Sequence, residues 1–283
     1  MSATSPSVGV VGSANVDLVV RVRSLPQAGE TVLGGDLSQF SGGKGANQAA
    51  ACATLGATTT FFGAVGSDAQ GAWLKEQLAS RGVNVDAVRL DERPTGTALI
   101  VVDDHGENTI VVSPGANDTV TVDPEALHSF DVVLAQLEVP LEVVTVAAAS
   151  AATFILNAAP ARALPRELIE ACDVIIVNET EFAALDLSAA RYVVVTLGAQ
   201  GARSVIDGVE VARATPPAVT PVDTVGAGDT FCAAFAVAYA RGGSPQDILE
   251  YAVTAGALAT LNTGAQGSLP THEEVLTWLA RAS

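Results

Sequence analysis

The sequence VDTVGAGDTF at residues 222–231 is a glycine-rich turn that leads into an apolar helix, with Asp229 in the first helical turn. Glycines allow backbone amides to approach a ligand, and a helix N-terminus carries a partial positive charge, so this pattern predicts an anion site. A carboxylate at such a site suits a base that takes a proton from a hydroxyl group attacking a phosphate. The alternative is that Asp229 only caps the helix and that Gly226 and Gly228 shape an ordinary loop.

A second glycine-rich segment, SGGKGANQ at residues 41–48, also runs from an extended stretch into an alanine-rich helix. It is not a Walker A loop, because Lys44 is followed by Gly45 and not by serine or threonine. The segment predicts a turn where the backbone approaches a ligand, with the ammonium group of Lys44 and the carboxamide of Asn47 beside it. Taken singly, Lys44 is more often a solvated lysine and Asn47 a polar residue on the flank of a helix.

The composition describes a folded and strongly acidic protein. The chain has 283 residues, of which 49% are hydrophobic and 16% are charged, and its net charge is −17. This charge argues against nucleic acid or an anionic membrane as a partner. Cys52, Cys172 and Cys232 lie in apolar runs and predict buried, reduced thiols. Since we find neither a signal segment nor an apolar run of transmembrane length, we expect a cytoplasmic protein.

Short apolar runs alternate with helix-like segments along most of the chain. The alternation predicts an α/β fold, a three-layer αβα domain with a mostly parallel sheet, and we expect residues 1–283 to form a single domain. The predicted strands are 8–11, 59–65, 132–136, 153–156, 174–177 and 192–196. The predicted helices are 45–55, 68–81, 141–151, 165–171, 179–185, 228–241, 247–261 and 272–281.

Two regions, at about 16–40 and 95–112, break this alternation because they are β-rich and have no helices between their strands. Residues 103–108 resemble the tip of a hairpin. The two regions predict a small second sheet. It is either a cover for a ligand or a surface hairpin without a function.

Together the two glycine-rich segments match the signature regions of the ribokinase family of sugar kinases, which this chain resembles from residues 12–17 to residues 264–268. The resemblance implies ATP-dependent phosphorylation of a small sugar, with the 5-hydroxyl of D-ribose as the expected acceptor. Deoxyribose, fructose or a nucleoside are the alternative acceptors. In this family the small sheet forms a lid over the sugar and often pairs with another subunit, so we expect a homodimer through the lid sheet.

The resemblance also implies roles for individual residues. Asp229 would be the general base, and the amides of Gly226, Ala227 and Gly228 would stabilise the transferring phosphoryl group. The sugar would bind to Asn15, Asp17, Gly42, Gly43, Lys44, Asn47, Glu138 and Asp229. The nucleotide would contact Asn178, Thr196, Gly198, Gly201, Gly228 and Val253.

The resemblance also implies two bound cations. Asn178 and Glu181 would hold Mg²⁺, mainly through water, and they also have the spacing of a helix-capping box. Both descriptions of this pair can be true. Potassium, a hard cation that suits oxygen ligands, would bind at Asp223, Val225, Ala259, Asn262, Gly264 and Ser268.

The chain departs from the family pattern between Leu185 and Arg191, where family members usually carry an extra helix. Such a short connection predicts that a crossover is missing and that an adjacent strand is lost or paired differently. The departure also suggests a catalytically silent sugar-binding protein, although the intact turn at Asp229 argues against it. A dinucleotide-dependent oxidoreductase is disfavoured, because no Gly-x-Gly-x-x-Gly pattern follows the first strand.

Overall fold

A sheet of buried apolar strands forms the centre of the computed structural model, which describes residues 5–267 and 269–282. Strands β9 and β10 below are buried at every position, as expected for strands covered on both faces. In chain order the strands are β1 Ser7–Val11, β2 Asn15–Arg21, β3 Ser38–Gly42, β4 Thr58–Phe62, β5 Ala64–Gly66, β6 Arg89–Asp91, β7 Gly96–Val102, β8 Asn108–Ser113, β9 Val132–Ala135, β10 Phe154–Asn157, β11 Val174–Asn178, β12 Tyr192–Thr196, β13 Ala202–Ile206 and β14 Val209–Ala214.

The helices are α1 Lys44–Thr54, α2 Ala69–Ser80, α3 Pro124–Leu127, α4 Leu141–Ser150, α5 Arg166–Ala171, α6 Glu179–Ala184, α7 Ala227–Ala240, α8 Pro245–Leu258 and α9 His272–Ala282. Short 3₁₀ segments lie at Gly115–Thr119, Gly198–Gln200 and Ala259–Leu261. In the described part of the chain, no helix is long and apolar enough to cross a membrane.

The central sheet has the strand order β14-β13-β12-β11-β10-β9-β1-β4. The six strands from β12 to β4 are parallel, and β13 and β14 add an antiparallel hairpin at one edge. The predicted α/β class with a mostly parallel sheet is confirmed. The hairpin was not predicted.

Helices cover both faces of this sheet and produce two apolar cores. On one face, α1, α2, α7, α8 and α9 contribute residues such as Leu74 and Phe235. On the other face, α3, α4 and α5 contribute residues such as Leu127 and Leu168. Successive strand residues point to opposite cores, as Leu134 and Ala135 do, which is the alternation of a pleated strand.

A separate four-stranded sheet has the order β3-β2-β7-β8 and is built from the two β-rich regions. Strand β2 pairs antiparallel with β3, so that Asn15 lies opposite Gly42, and parallel with β7, so that Asn15 lies opposite Gly96. Strand β8 is exposed at every position. We call this unit the small sheet.

Some predicted elements differ from the observed ones. The single strand predicted at 59–65 is two strands, β4 and β5, because the chain breaks at Gly63, where a Cβ would lie 2.6 Å from the ring of Phe61. The helix predicted at 247–261 ends at Leu258, and a 3₁₀ turn follows.

The prediction of a lost or differently paired strand after residue 185 is wrong. Helix α6 and the short connection that follows it still return the chain to a parallel neighbour. Strand β12 pairs with β11, and Ile175 lies opposite Val193. The central sheet is therefore continuous from β11 to β12.

Candidate active site

Helices α1 and α7 begin beside each other at the carboxyl ends of the central strands, and glycines make both starts possible. Gly43, with φ +86°, precedes α1, and a Cβ on Gly45 would lie 2.6 Å from the Ser13 amide nitrogen. Gly226, with φ +80°, precedes α7, and its Cβ would lie 2.6 Å from Ala265 Cα. Larger residues would push these turns away from the strand ends.

Asp229 is buried in the first turn of α7 and is held by two carboxamides from α1. Asn47 Nδ2 donates to its Oδ2 at 2.9 Å, and Gln48 Nε2 donates to its Oδ1 at 3.0 Å. Burial raises the pKa of Asp229, while the charge of Lys44 and these two hydrogen bonds oppose the rise. These contacts favour the charged form, which is the state that a general base needs, but they offset burial only in part and the pKa remains raised.

The turn at the start of α7 also uses one of the predicted phosphate donors. The Ala227 amide donates to the carbonyl of Thr224 at 3.2 Å, so in this structure it holds the turn together. Gly228 is exposed at the mouth of the site, and a Cβ added to it would meet nothing within 4 Å. The turn is thus open on the side of Gly228.

Lys44 and Glu138 form the charged neighbourhood of Asp229. Glu138 Oε2 accepts from the Lys44 amide at 3.0 Å and from the Ser13 hydroxyl. Burial acts to lower the pKa of the Lys44 side chain, but the carboxylates of Asp229 and Glu138 outweigh it, and the pKa is raised. Lys44 therefore carries its positive charge at neutral pH.

Asn15 and Asp17 leave strand β2 beside the Gly-Gly turn. Asn15 is buried, and its Oδ1 accepts from Asn117 Nδ2 at 2.7 Å, which directs its amino group away from Asn117. A Cβ on Gly42 would lie 2.1 Å from Asp17 Oδ2, so only glycine leaves room for this carboxylate. Asp17 is a half-buried carboxylate to which no described protein group donates.

Asp17 has a strongly raised pKa. Burial, followed by the charges of Glu138 and Asp229, raises the pKa of Asp17 to about 7. A carboxylate that lacks a protein donor and titrates near neutral pH is suited to accept hydrogen bonds from ligand hydroxyl groups.

Two neighbouring cavities open at the N-terminal end of α7. A cleft of about 510 Å³ is lined mainly by apolar groups, among them Val253, Phe231 and Pro217. A smaller polar pocket of about 170 Å³ contains Lys44, Glu181 and Asp229. Both cavities share Thr196 and Gly228. The predicted nucleotide residues divide between them: Gly198, Gly201 and Val253 line the cleft, Asn178 lines the pocket, and Thr196 and Gly228 line both.

Asn178 and Glu181 form the capping box of α6. Asn178 Oδ1 accepts from the Glu181 amide, and Glu181 Oε2 accepts from the Asn178 amide, each at 2.8 Å. Glu181 is buried and both residues line the polar pocket, so the capping role does not remove them from the site. Among the described residues there is no cluster of three or more His, Cys, Asp or Glu side chains that could hold a metal by itself.

The loop before α7 is tied to the segment after α8. Asp223 Oδ1 accepts from the Val225 amide at 3.0 Å, and its Oδ2 accepts from the Gly264 amide at 2.8 Å. Of the other residues predicted for the potassium site, Ala259 is buried and Val225 and Asn262 are exposed. Ser268 lies outside the described residues.

Several polar residues around Asp229 were not assigned a role from the sequence. They share a buried position and a side-chain amide: Gln48, Asn117, Gln136, Asn157 and Gln266. Gln48 stands within the second glycine-rich segment, which is the one signal that could have drawn attention to it. The others are distant in sequence from both segments, and only the fold brings them together.

Comparisons with known proteins find relatives along nearly the whole chain. The profile of the pfkB family carbohydrate kinases matches residues 5–272. A ribokinase of Bacillus subtilis (strain 168) is 41% identical over an alignment of 285 positions. The alignment covers 94% of this chain and 97% of that protein. The similarity therefore spans both glycine-rich segments and the sheets between them.

Two solved structures of ribokinases share this fold over nearly the whole chain. The structure of Arabidopsis thaliana ribokinase complexed with ribose and ATP has a TM-score of 0.88 and 34% identity, over 98% of this chain and 99% of that chain. A ribokinase of Cryptococcus neoformans var. grubii serotype A in complex with ADP has a TM-score of 0.83 and 30% identity, over 96% of this chain and 99% of that chain.

Proposed function

The chain belongs to the pfkB family of carbohydrate kinases, and we propose that it transfers the γ-phosphoryl group of ATP to the 5-hydroxyl of D-ribose. The observation that carries this proposal is the position of Asp229. It lies in a polar pocket that continues into an apolar cleft through Thr196 and Gly228. An acceptor hydroxyl and a terminal phosphate can meet in such a pocket, and the ribokinases among its relatives support ribose as the acceptor.

In this reaction the sugar hydroxyl attacks the γ-phosphorus in line while Asp229 accepts its proton, and the bond from the γ-phosphorus to the β,γ-bridging oxygen breaks to release ADP. The Lys44 ammonium and the amides of Gly226 and Gly228 stabilise negative charge on the transferring group, while the Ala227 amide holds the turn through Thr224. The catalytic contribution of the protein is mainly positioning and charge neutralisation.

The sugar lies between the two glycine-rich turns and the small sheet, which acts as its lid. Asn15 offers its amino group, and Asp17 accepts from two neighbouring hydroxyls. Asn47 hydrogen-bonds the sugar beside Asp229, and Glu138 holds the turn through Ser13 and Lys44. The backbone of Gly42 and Gly43 allows the sugar to approach closely.

The adenosine part of ATP occupies the apolar cleft, against Gly198, Gly201 and Val253. Its phosphates extend past Thr196 and Gly228 toward Asn178 in the polar pocket. This direction places the γ-phosphate next to Asp229 and the adenine away from it.

Two cations complete the site. The polar pocket contains two carboxylates and one ammonium group, so an anionic nucleotide needs an added cation there. Asn178 and Glu181 would hold Mg²⁺ through water, and this ion neutralises phosphate charge when bound. The turn 223–225 and the segment 259–268 would hold K⁺ with Asp223, Val225, Ala259, Asn262, Gly264 and Ser268, and carboxylate and carbonyl oxygens suit such a cation.

We also place the protein in the cytoplasm as a homodimer. The three cysteines are free and buried, which fits a reducing compartment. The small sheet exposes Leu99 and Val111 on one face and Ile110 and Val112 on the other, each at least half exposed, and a second copy of the sheet would cover the face with Ile110 and Val112. Light scattering should give a dimer for the wild type and a monomer for Ile110→Asp; a monomeric wild type would contradict the dimer.

The function is tested by measuring ADP release with MgATP and a panel of acceptors: ribose, 2-deoxyribose, fructose and a nucleoside. We expect the highest kcat/KM for ribose and formation of ribose 5-phosphate, identified by ³¹P NMR. A higher kcat/KM for another acceptor would reassign the substrate. No turnover with any sugar would contradict the kinase assignment in favour of a silent sugar-binding protein.

A further inference from the structure

Behind Asp229, a chain of buried carboxamides connects the carboxylate to the central sheet. Gln48 Nε2 donates to Asp229 Oδ1 and to Asn157 Oδ1, both at 3.0 Å. Gln48 Oε1 accepts from Gln136 Nε2. Gln48 and Gln136 are fully buried, so water does not compete for these hydrogen bonds.

This network allows only one orientation of the Gln48 side chain. A carboxamide has a donor end and an acceptor end. With the ends exchanged, the oxygen of Gln48 would lie 3.0 Å from two acceptors, Asp229 Oδ1 and Asn157 Oδ1. Asn157 is itself oriented, because its Nδ2 donates to the carbonyl of Ile176 at 3.4 Å. The amino group of Gln48 is therefore directed at Asp229.

The two oxygens of Asp229 face different surroundings. Oδ1 accepts from Gln48, which in turn contacts Gln136 after β9 and Asn157 at the end of β10. Oδ2 accepts from Asn47, whose Oδ1 accepts from Gln266 Nε2 at 3.0 Å. Gln266 also donates to the hydroxyl of Ser41, on strand β3 of the small sheet, at 3.1 Å. Oδ2 is thus the oxygen on the side of the small sheet.

We propose that Gln48 is a positioning residue, which anchors Oδ1 of Asp229 as a charged acceptor and leaves Oδ2 to take the proton of the sugar hydroxyl. This role rests on the proposed function, because it assigns the two oxygens of the proposed base. Gln48 is buried behind the carboxylate and does not line either cavity, so it acts through Asp229 and not on the substrate.

The electrostatics support the same role. Burial raises the pKa of Asp229, and the hydrogen bond from Gln48 is one of the contacts that oppose the rise, together with Lys44 and Asn47. Lys44 lines the polar pocket, and Asn47 contacts the Oδ2 atom on the side of the small sheet. A bound substrate can contact both residues there. The hydrogen bonds of Gln48 are all to protein groups.

The test compares Gln48→Met with Gln136→Met. Both variants replace a buried glutamine of the same network, but only Gln48 contacts Asp229. The first readout is a ¹³C NMR titration of the Asp229 carboxyl in the protein without substrates, with the signal assigned by Asp229→Asn. The second readout is the pH dependence of kcat at saturating ribose and MgATP.

We expect Gln48→Met to raise the pKa of Asp229 by about one unit or more. The acid limb of kcat should move upward with it, while KM for ribose stays within a few-fold. Gln136→Met should move neither. If Gln48→Met leaves both readouts at their wild-type values, or if Gln136→Met shifts them equally, the proposal is overturned.

A second variant covers a failure of Gln48→Met to fold. Gln48→Glu keeps the size of the side chain and the acceptor for Gln136, and it places another carboxyl group against Asp229. It should also raise the pKa of Asp229, and an unchanged value would overturn the proposal. Failure of the proposed function would look different: the wild type would form no ribose 5-phosphate, while the NMR titration would still report on Gln48.

Discussion

Asp17 and Asp229 are two carboxyl groups of one site whose surroundings give them different chemistry. Asp229 accepts hydrogen bonds from Asn47 and Gln48 and lies near the charge of Lys44. Asp17 has no donor among the described residues, and its pKa is raised to about 7. The first arrangement supplies donors that favour the charged form of a base, whereas the second suits a group completed by the ligand.

The titration of Asp17 predicts a pH-dependent stability. The pKa is raised in the folded state from 3.8 to about 7, so folding favours the protonated form. The resulting stabilisation is complete below the unfolded pKa and is lost as pH rises toward 7. Relative to Asp17→Asn, the wild type should therefore lose up to about 3 kcal/mol of unfolding free energy between pH 5 and pH 8, by urea denaturation.

The control for this prediction is Asp36→Asn, which removes an exposed carboxylate from the connection between β2 and β3. Its stability difference from the wild type should be the same at both pH values. If Asp17→Asn behaves like this control, then the assigned environment of Asp17 is wrong.

Asp17 also predicts a preference between sugars. If its carboxylate accepts from two neighbouring hydroxyls, a sugar that lacks one of them leaves a buried acceptor unsatisfied, at a cost of about 1–3 kcal/mol. Ribose should exceed 2-deoxyribose by roughly ten- to a hundred-fold in kcat/KM. In Asp17→Ala that ratio should shrink, because ribose loses more than deoxyribose. Equal kcat/KM for the two sugars in the wild type would contradict the assignment of ribose.

At the scale of elements, the meeting of the α1 and α7 N-termini is what the two glycine-rich segments predicted. Each segment carries local signals, since its glycines and the helix that follows can be recognised without knowledge of the partner. The hydrogen bonds between the elements carry no such signal. Gln48 reaches Asp229 across 181 positions, and Gln136 reaches Gln48 across 88, so the network depends on the fold.

The hairpin β13–β14 has a local signal in the sequence. Its two strands are joined by Asp207 and Gly208, both at positive φ, and an Asp-Gly pair is typical of a tight hairpin turn. The two strands contain the charged residues Arg203, Glu210 and Arg213, so they lack the continuous apolar run of the other predicted strands. Turn chemistry was the better predictor here.

The loop that begins α7 predicts a dependence on potassium. Asp223 ties this loop to Gly264, and a cation bound beside it would stiffen the turn that carries Gly226 and Gly228. At fixed Mg²⁺, K⁺ should raise kcat/KM for ATP above the value in Na⁺ alone. Asp223→Ala should remove the difference between the two ions. Identical activity of the wild type in both buffers would contradict the cation site.

The whole molecule presents a contrast between its charge and its proposed substrates. A chain with net charge −17 binds an anionic nucleotide only if positive potential is concentrated locally. Lys44 and two helix N-termini lie at one end of the sheet, and the proposed cations would add positive potential there. The alternation of strands and helices was enough to predict the sheet.

The central claim is that Asp229 is the general base of a sugar kinase, and Asp229→Asn tests it most directly. The carboxamide keeps the size of the side chain but cannot accept the proton, so kcat for ribose should fall by at least about 100-fold. Ribose affinity, measured by calorimetry on the same variant, should stay within a few-fold of the wild type. A variant that keeps near-normal kcat would contradict the account.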